Sequence, residues 1–156
     1  MKFIQLTKGY TAVIDDADYA AVSQFSWHAH VCKNTVYARR GYRVGGRCVT
    51  QYLHQFLLKC ERVDHHDRDG LNNQRDNLRK ATVQQNAFNR VQVSGTSPYK
   101  GVHRNRKAWR AMIRIDKKKV HIGSYKTELE AAKAYDAMAL KIHGEFARLN
   151  FPKGEL

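Results

Sequence analysis

Cysteine is scarce in this chain. Cys32, Cys48 and Cys60 form no Cys-x-x-Cys pair and no even set, so neither a disulfide framework nor a zinc cluster is supported and free thiols are expected. Long apolar runs are missing too. None approaches the ~18–20 residues of a membrane span, so no membrane partner is expected. The opening residues, MKFIQLTKGYTAVIDD, contain no signal-peptide apolar core, and a cytoplasmic location is expected. No internal repeat or low-complexity tract is visible. Acidic residues are the remaining shortage: 14 Asp and Glu stand against 28 Lys and Arg, leaving a net charge of +14 over 156 residues. A chain this basic is either a solvated cationic surface or a partner for polyanions. The second is favoured, because each Lys or Arg that meets a phosphate releases a condensed counterion.

An apolar fraction of 42% is sufficient for a buried core. The length suits one ordinary domain or two or three small modules. Charge is uneven along the chain. Residues 1–60 carry eight Lys/Arg against three Asp, residues 61–93 six against five, and residues 94–156 fourteen against six. The last third is therefore the strongest candidate for gripping a polyanion. The middle is nearly neutral because its acids cluster, as a cation site would require.

Residues 1–60 read as a β-rich segment. KFIQL and YTAVID are short strands separated by Lys8-Gly9. Asp16 is a candidate cap for a helix presenting Tyr19, Val22 and Phe25. WHAHV, TVYARR and YRV alternate as strands do, with turns at Lys33-Asn34 and Gly45-Gly46. Val49–Leu58 is predicted helical, with Tyr52, Leu53, Phe56 and Leu57 inward and His54 as a packed, hydrogen-bonded histidine beside them. His28 and His30 share a strand face without a third ligand, so no metal is expected there. Residues 91–98, VQVSGTSP, read as a linker.

The stretch VDHHDRDGLNNQRDNLRKATVQQN, Val63–Asn86, carries the chemistry. A short strand delivers Asp64 and His65, DRDGLNN makes a turn in which Gly70 needs no Cβ, and NLRKA is the returning strand. Thr82 and Gln85 form a capping box that starts a helix bearing Asn86. Phosphodiester hydrolysis needs an activated water and a stabilised leaving oxygen. A hard divalent ion meets the second need with one carboxylate and one amide oxygen from the protein, which Asp64 and Asn86 can supply. His65 titrates near neutrality and can act as general base, and Asn77 is placed to orient its ring. Asp67, Asp69 and Gly70 also overlay a calcium loop. However, His65 holds its first ligand position and Asp76 stands where a bidentate Glu belongs, so these acids read as turn residues. His66 should point away from His65.

Asp64-His65, Asn77 and Asn86, with LNNQRDNLR between them, resemble the HNH endonucleases of ββα-metal fold, and most of all the phage and intron-encoded homing enzymes. That resemblance implies Mg²⁺ or Mn²⁺ on Asp64 and Asn86, His65 as general base and Asn77 orienting it. It also implies products with 5′-phosphate and 3′-hydroxyl ends and an origin in a phage or mobile element in its host's cytoplasm. One site per chain implies a monomer that nicks one strand; cutting both needs a dimer or two events. Residues 1–60, with Trp27 and YLHQ, resemble the leader that precedes this motif in phage proteins. Both a DNA-holding and a purely structural role stay open for them.

After the linker, YKGVHRN, AWRAMIRID and KKVHIGSY are strand-like. TELEAAKAYDAMALKIHG reads as a helix, capped by Thr127 and Glu130, with Ala131, Ala134, Tyr135, Met138 and Ile142 inward and Gly144 as its end. Alternation puts Ala111, Ile113 and Ile115 toward the helix and Arg110, Met112, Arg114 and Asp116 outward, so the exposed face presents Arg104, Arg110, Arg114, Lys119 and His121. Tyr99–Pro152 resembles the plant ethylene-response-factor DNA-binding domain (AP-two type), most specifically in YKGV, GSYKTELEAAKAYD and ARLNFP. The implied DNA-binding residues are His103, Arg104, Arg106, Trp109, Arg110, Arg114, Lys119 and His121. His103 replaces a common Arg, Met112 a common Glu and His121 a common Trp, which argues against plant-type sequence preference. Trp109 can be packed or can touch DNA.

The expected fold is α+β: a β-rich segment at 1–60, a ββα-metal core at 61–90, a linker, and a three-stranded antiparallel sheet on one helix at 99–152. The expected function is a metal-dependent endonuclease on double-stranded DNA, with RNA left open as substrate. The competing class is a DNA-binding regulator whose hairpin is only a scaffold. The intact Asp-His-Asn-Asn set favours the enzyme.

Overall fold

The computed structural model describes residues 1–90, 96–116 and 118–152. Residues 91–95 of the expected linker lie outside them. The fold mixes α and β elements in four small antiparallel sheets and divides into two compact units, Met1–Asn86 and Ala87–Leu156.

In the first unit β1 (Lys2–Gln5) pairs with β2 (Thr11–Ile14). The expected helix after Asp16 shrinks to a 3₁₀ turn and a single turn, α1 (Tyr19–Val22). Of the predicted stripe only Val22 is buried, while Tyr19 and Phe25 are exposed. The Trp27 indole N–H donates to the Val22 carbonyl at 3.0 Å, taking an acceptor that a longer helix would use. Strands β3 (His28–Val31), β4 (Val36–Val44) and β5 (Arg47–Tyr52) form the next sheet. TVYARR and YRV are one strand running through Gly41. Gly45 and Gly46 turn β4 into β5 with φ of 54° and 77°, the left-handed pair that a two-residue hairpin favours.

Val49–Leu58 is half strand. Val49 and Thr50 pair with Tyr42 and Gly41, and helix α2 begins only at Leu53 and runs to Leu58. Its start is marked by Gln55, whose Oε1 accepts the Tyr52 N–H at 3.1 Å. Then come β6 (Val63–His65), β7 (Leu78–Lys80) and α3 (Val83–Phe88), the predicted order of strand, strand and helix. The Thr82–Gln85 capping box is present, with reciprocal bonds of 2.8 and 3.1 Å. Two three-residue strands cannot bury a core alone. Val63 and Leu78 therefore join Ile4, Ile14, Val22, Trp27, Leu53 and Leu57 in one cluster, so the hairpin and the N-terminal strands share a core.

In the second unit β8 (Val102–Asn105), β9 (Ala108–Ile115) and β10 (Lys118–Tyr125) form an antiparallel sheet in the order β10-β9-β8. Helix α4 (Glu128–His143) packs against it. The Thr127–Glu130 box caps the start and Gly144, at φ 55°, ends it. Ala131 and Tyr135 are buried as expected. Ile142 is not; Ala132, Ala139 and His143 take the inward positions instead. Gly101 lets the chain pass close to α4, since a Cβ there would lie 2.0 Å from the Tyr135 ring. Among the described residues no helix is long and apolar enough to cross a membrane.

Candidate functional site

Strand β6 puts Asp64 and His65 side by side, both buried. In the register of the hairpin Asp64 faces Arg79. The Arg79 guanidinium donates through Nε at 2.9 Å and Nη2 at 2.7 Å to Asp64 Oδ2, which anchors that oxygen with two charge-assisted bonds. Reasoning on the sequence missed Arg79. Only the strand register exposes it as the cross-strand partner.

The loop between β6 and β7 is held by its own amides. Asp67 Oδ1 accepts from the Asp69 N–H at 2.8 Å and from Asn77 Nδ2 at 2.9 Å, while Asp67 Oδ2 accepts from Asn72 Nδ2 at 2.7 Å. Asp69 Oδ1 accepts from the Leu71 N–H at 2.9 Å. Both acids act as turn-formers. Burial alone would raise the Asp67 pKa, but these hydrogen bonds outweigh it and bring it below the ordinary value. Gly70 has no left-handed φ; Arg68 has it instead, at 71°. Gly70 is needed for a close approach, since a Cβ would sit 2.4 Å from the Val36 carbonyl oxygen and 2.5 Å from the Tyr37 ring. Arg75 ties the loop to the 3₁₀ turn after β2 through a bidentate pair with Asp18 at 2.7 and 2.9 Å.

Asn77 is buried in this loop. Its side chain bonds Asp67 and the Asn72 carbonyl, and accepts from the Asp67 N–H at 3.0 Å. Asn73, fully buried in the same loop, donates through Nδ2 to the Gly70 and Leu71 carbonyls at 3.3 and 3.0 Å. Asn77 therefore shapes the turn that carries Asn73. His66 is exposed, in the turn that follows β6, so strand alternation does not set its direction.

Burial lowers the His65 pKa, while the neighbouring Asn73 amide and the charges of Asp67, Asp64 and Asp69 oppose the shift. The ring is thus disposed to be neutral and able to accept a proton. Rings from β4 and α2 pack against it. His54 meets it edge-to-face at 5.0 Å and Tyr37 lies 5.8 Å away. His54 is packed as expected, but its Nδ1 is buried with no hydrogen-bond partner.

Asn86 is half-buried on α3, just after the cap. Asp64 and Asn86 offer a carboxylate and a carboxamide oxygen, hard donors that suit Mg²⁺ or Mn²⁺. Among the described residues no three His, Cys, Asp or Glu converge as a metal cage. An ion held by these two residues would complete its shell with water and phosphate, as Mg²⁺ commonly does.

In the second unit the register puts His103 opposite Arg110, Met112 opposite His121 and Arg114 opposite Lys119, so these six share one sheet face. Arg104 departs from the expected set. It faces Trp109 across β8 and β9, on the same side as Val102 and Ala111, with its guanidinium 4.9 Å over the indole. Trp109, half-buried, packs on the core of the unit. Arg106 belongs to the β8–β9 turn, at φ 51°, where its carbonyl accepts from Arg104 Nε at 3.0 Å. Asp116, expected on the outer face, lies beyond β9 in a turn at φ 48°.

No family model matches the chain. It is 33% identical over 153 residues to a protein of Acanthamoeba polyphaga mimivirus described as an uncharacterized HNH endonuclease, covering 92% of this chain and 76% of that one. It is also 45% identical over 71 residues to an ethylene-responsive transcription factor of Arabidopsis thaliana, covering 40% of this chain and 38% of that protein. The first similarity runs through most of both chains, and the protein therefore belongs to the HNH endonucleases.

Proposed function

We propose that this protein is a divalent-metal-dependent DNA endonuclease of homing type that nicks one strand of a duplex, with the Ala87–Leu156 unit docking on the DNA. The observation that carries the reading is on β6: a buried imidazole, disposed to be neutral, next in sequence to a buried carboxylate that Arg79 anchors. His65 takes a proton from water as the water oxygen bonds to phosphorus. The bond from phosphorus to the 3′ oxygen breaks in line, leaving a 5′-phosphate and, once the oxygen gains a proton from solvent, a 3′-hydroxyl. Asp64 and Asn86 would hold a Mg²⁺ or Mn²⁺ ion, which supplies charge neutralisation at the scissile phosphate and at the departing oxygen. Asn77 acts earlier, by holding the loop next to His65. A single site per chain fits one nick per encounter, and the similarity to the Arabidopsis factor supports DNA as the docking partner of the sheet.

The test is conversion of supercoiled plasmid, and of DNA from the protein's own locus, to open circle with Mg²⁺ and with EDTA. Nicks that form only with the ion, and that DNA ligase reseals directly, are expected. DNA that is bound but never nicked would instead favour a DNA-binding protein that keeps the hairpin as a scaffold.

A further inference from the structure

We propose that His54 is a positioning residue for His65: stacked on Tyr52 and set edge-to-face against the His65 imidazole, it fixes the plane in which that ring meets the attacking water. The inference rests on His65 being the base. Four rings form a connected wall. Tyr52 and His54 are stacked at 5.3 Å with an interplanar angle of 11°, and His54 meets His65 at 5.0 Å and 88°. Tyr37 lies within 5.8 Å of all three. The far end is anchored, because the Tyr52 hydroxyl and His30 Nδ1 are hydrogen-bonded at 3.1 Å.

His54 is buried, and its Nδ1 has no hydrogen-bond partner, so hydrogen bonding through that atom does not hold it. Its contacts are ring faces and ring edges. Gly70 packs close to the Tyr37 ring, where even one added carbon would collide with it. A ring seated this way has few rotamers open to it, and it denies its neighbour the rotations that would swing a catalytic nitrogen away. Burial also keeps His54 neutral down to about pH 3, so it places no charge beside His65 at working pH. The β3–β4–β5 sheet thereby gains a role in the chemistry, through Tyr37 on β4, Tyr52 at the end of β5 and His54 in the first turn of α2.

The test compares wild type with His54→Ala, His54→Phe and Tyr52→Leu in plasmid nicking, well below each variant's melting temperature. A loss of tenfold or more in kcat for His54→Ala, with KM for DNA within twofold of wild type, is expected. His54→Phe should recover most of that loss, because it restores a flat ring. If His54→Ala does not fold, Tyr52→Leu decides, with a smaller kcat loss at unchanged KM expected. A second readout is the His65 ring resonance in protein labelled at histidine: one sharp ring-current-shifted line in wild type, broadened or moved toward the free value in the alanine variant. Wild-type kcat in both His54→Ala and Tyr52→Leu, or an unmoved His65 resonance, would overturn the inference while leaving His65 as base. Absence of nicking by wild type itself would overturn both.

Discussion

His54 ties the stability of the first unit to acidity. Its pKa falls from the ordinary 6.5 to about 3 in the folded chain, because burial penalises the charged ring and His65 stands beside it. Between those values the unfolded chain binds a proton that the native chain does not. Stability is therefore greatest above pH 6.5 and is lost as the pH falls, by up to ~1.4 kcal/mol per pH unit. Between pH 7 and 5 the unfolding free energy of His54→Phe should decline by about 2 kcal/mol less than that of wild type. Urea denaturation at the two pH values measures it, and equal declines would refute it. Asp64, His65, Asn77 and Asn86 could be read from residue types and spacing, since their chemistry is local to one motif. Arg79 and His54 could not, because each meets Asp64 or His65 through strand register or tertiary packing.

At the level of elements, local signals predicted best. The Thr82–Gln85 and Thr127–Glu130 boxes and the Gly45-Gly46 turn all form as their residues dictate. What failed depended on distant partners: Val49–Tyr52 is strand because β4 lies alongside it, and α1 stops where Trp27 claims a carbonyl. The end of the second unit depends on one buried carboxylate. Asp136 accepts from the Asn150 and Phe151 N–H groups at 2.9 Å, while Asn150 bonds the Lys100 backbone through both ends of its amide. Asp136→Ala leaves those donors without their acceptor and should cost about 2–4 kcal/mol. Amide hydrogen exchange should show lost protection at Lys100, Asn150 and Phe151, with the Met1–Asn86 amides unchanged. Retained protection at all three would show that α4 and the sheet hold the segment without Asp136.

Across the whole molecule, charge and chemistry are separated. The nearly neutral stretch 61–93 carries the candidate site, and 94–156 carries fourteen cations against six acids. Arg110 and Arg114 are exposed on the open face of the second sheet. Removing both should weaken binding to duplex DNA and flatten the slope of log affinity against log salt by about two, since each phosphate contact contributes ~0.9. An unchanged slope would place the DNA elsewhere. The central claim is that the Asp64-His65 strand hydrolyses DNA. The direct measurement is the Mg²⁺-dependent nicking rate of His65→Ala against wild type, at DNA concentrations where both are fully bound. Loss of the general base should lower the rate by about 10²–10⁴-fold with the affinity for DNA unchanged. A variant that nicks within a few-fold of wild type would show that another group activates the water and that the account of this site is wrong.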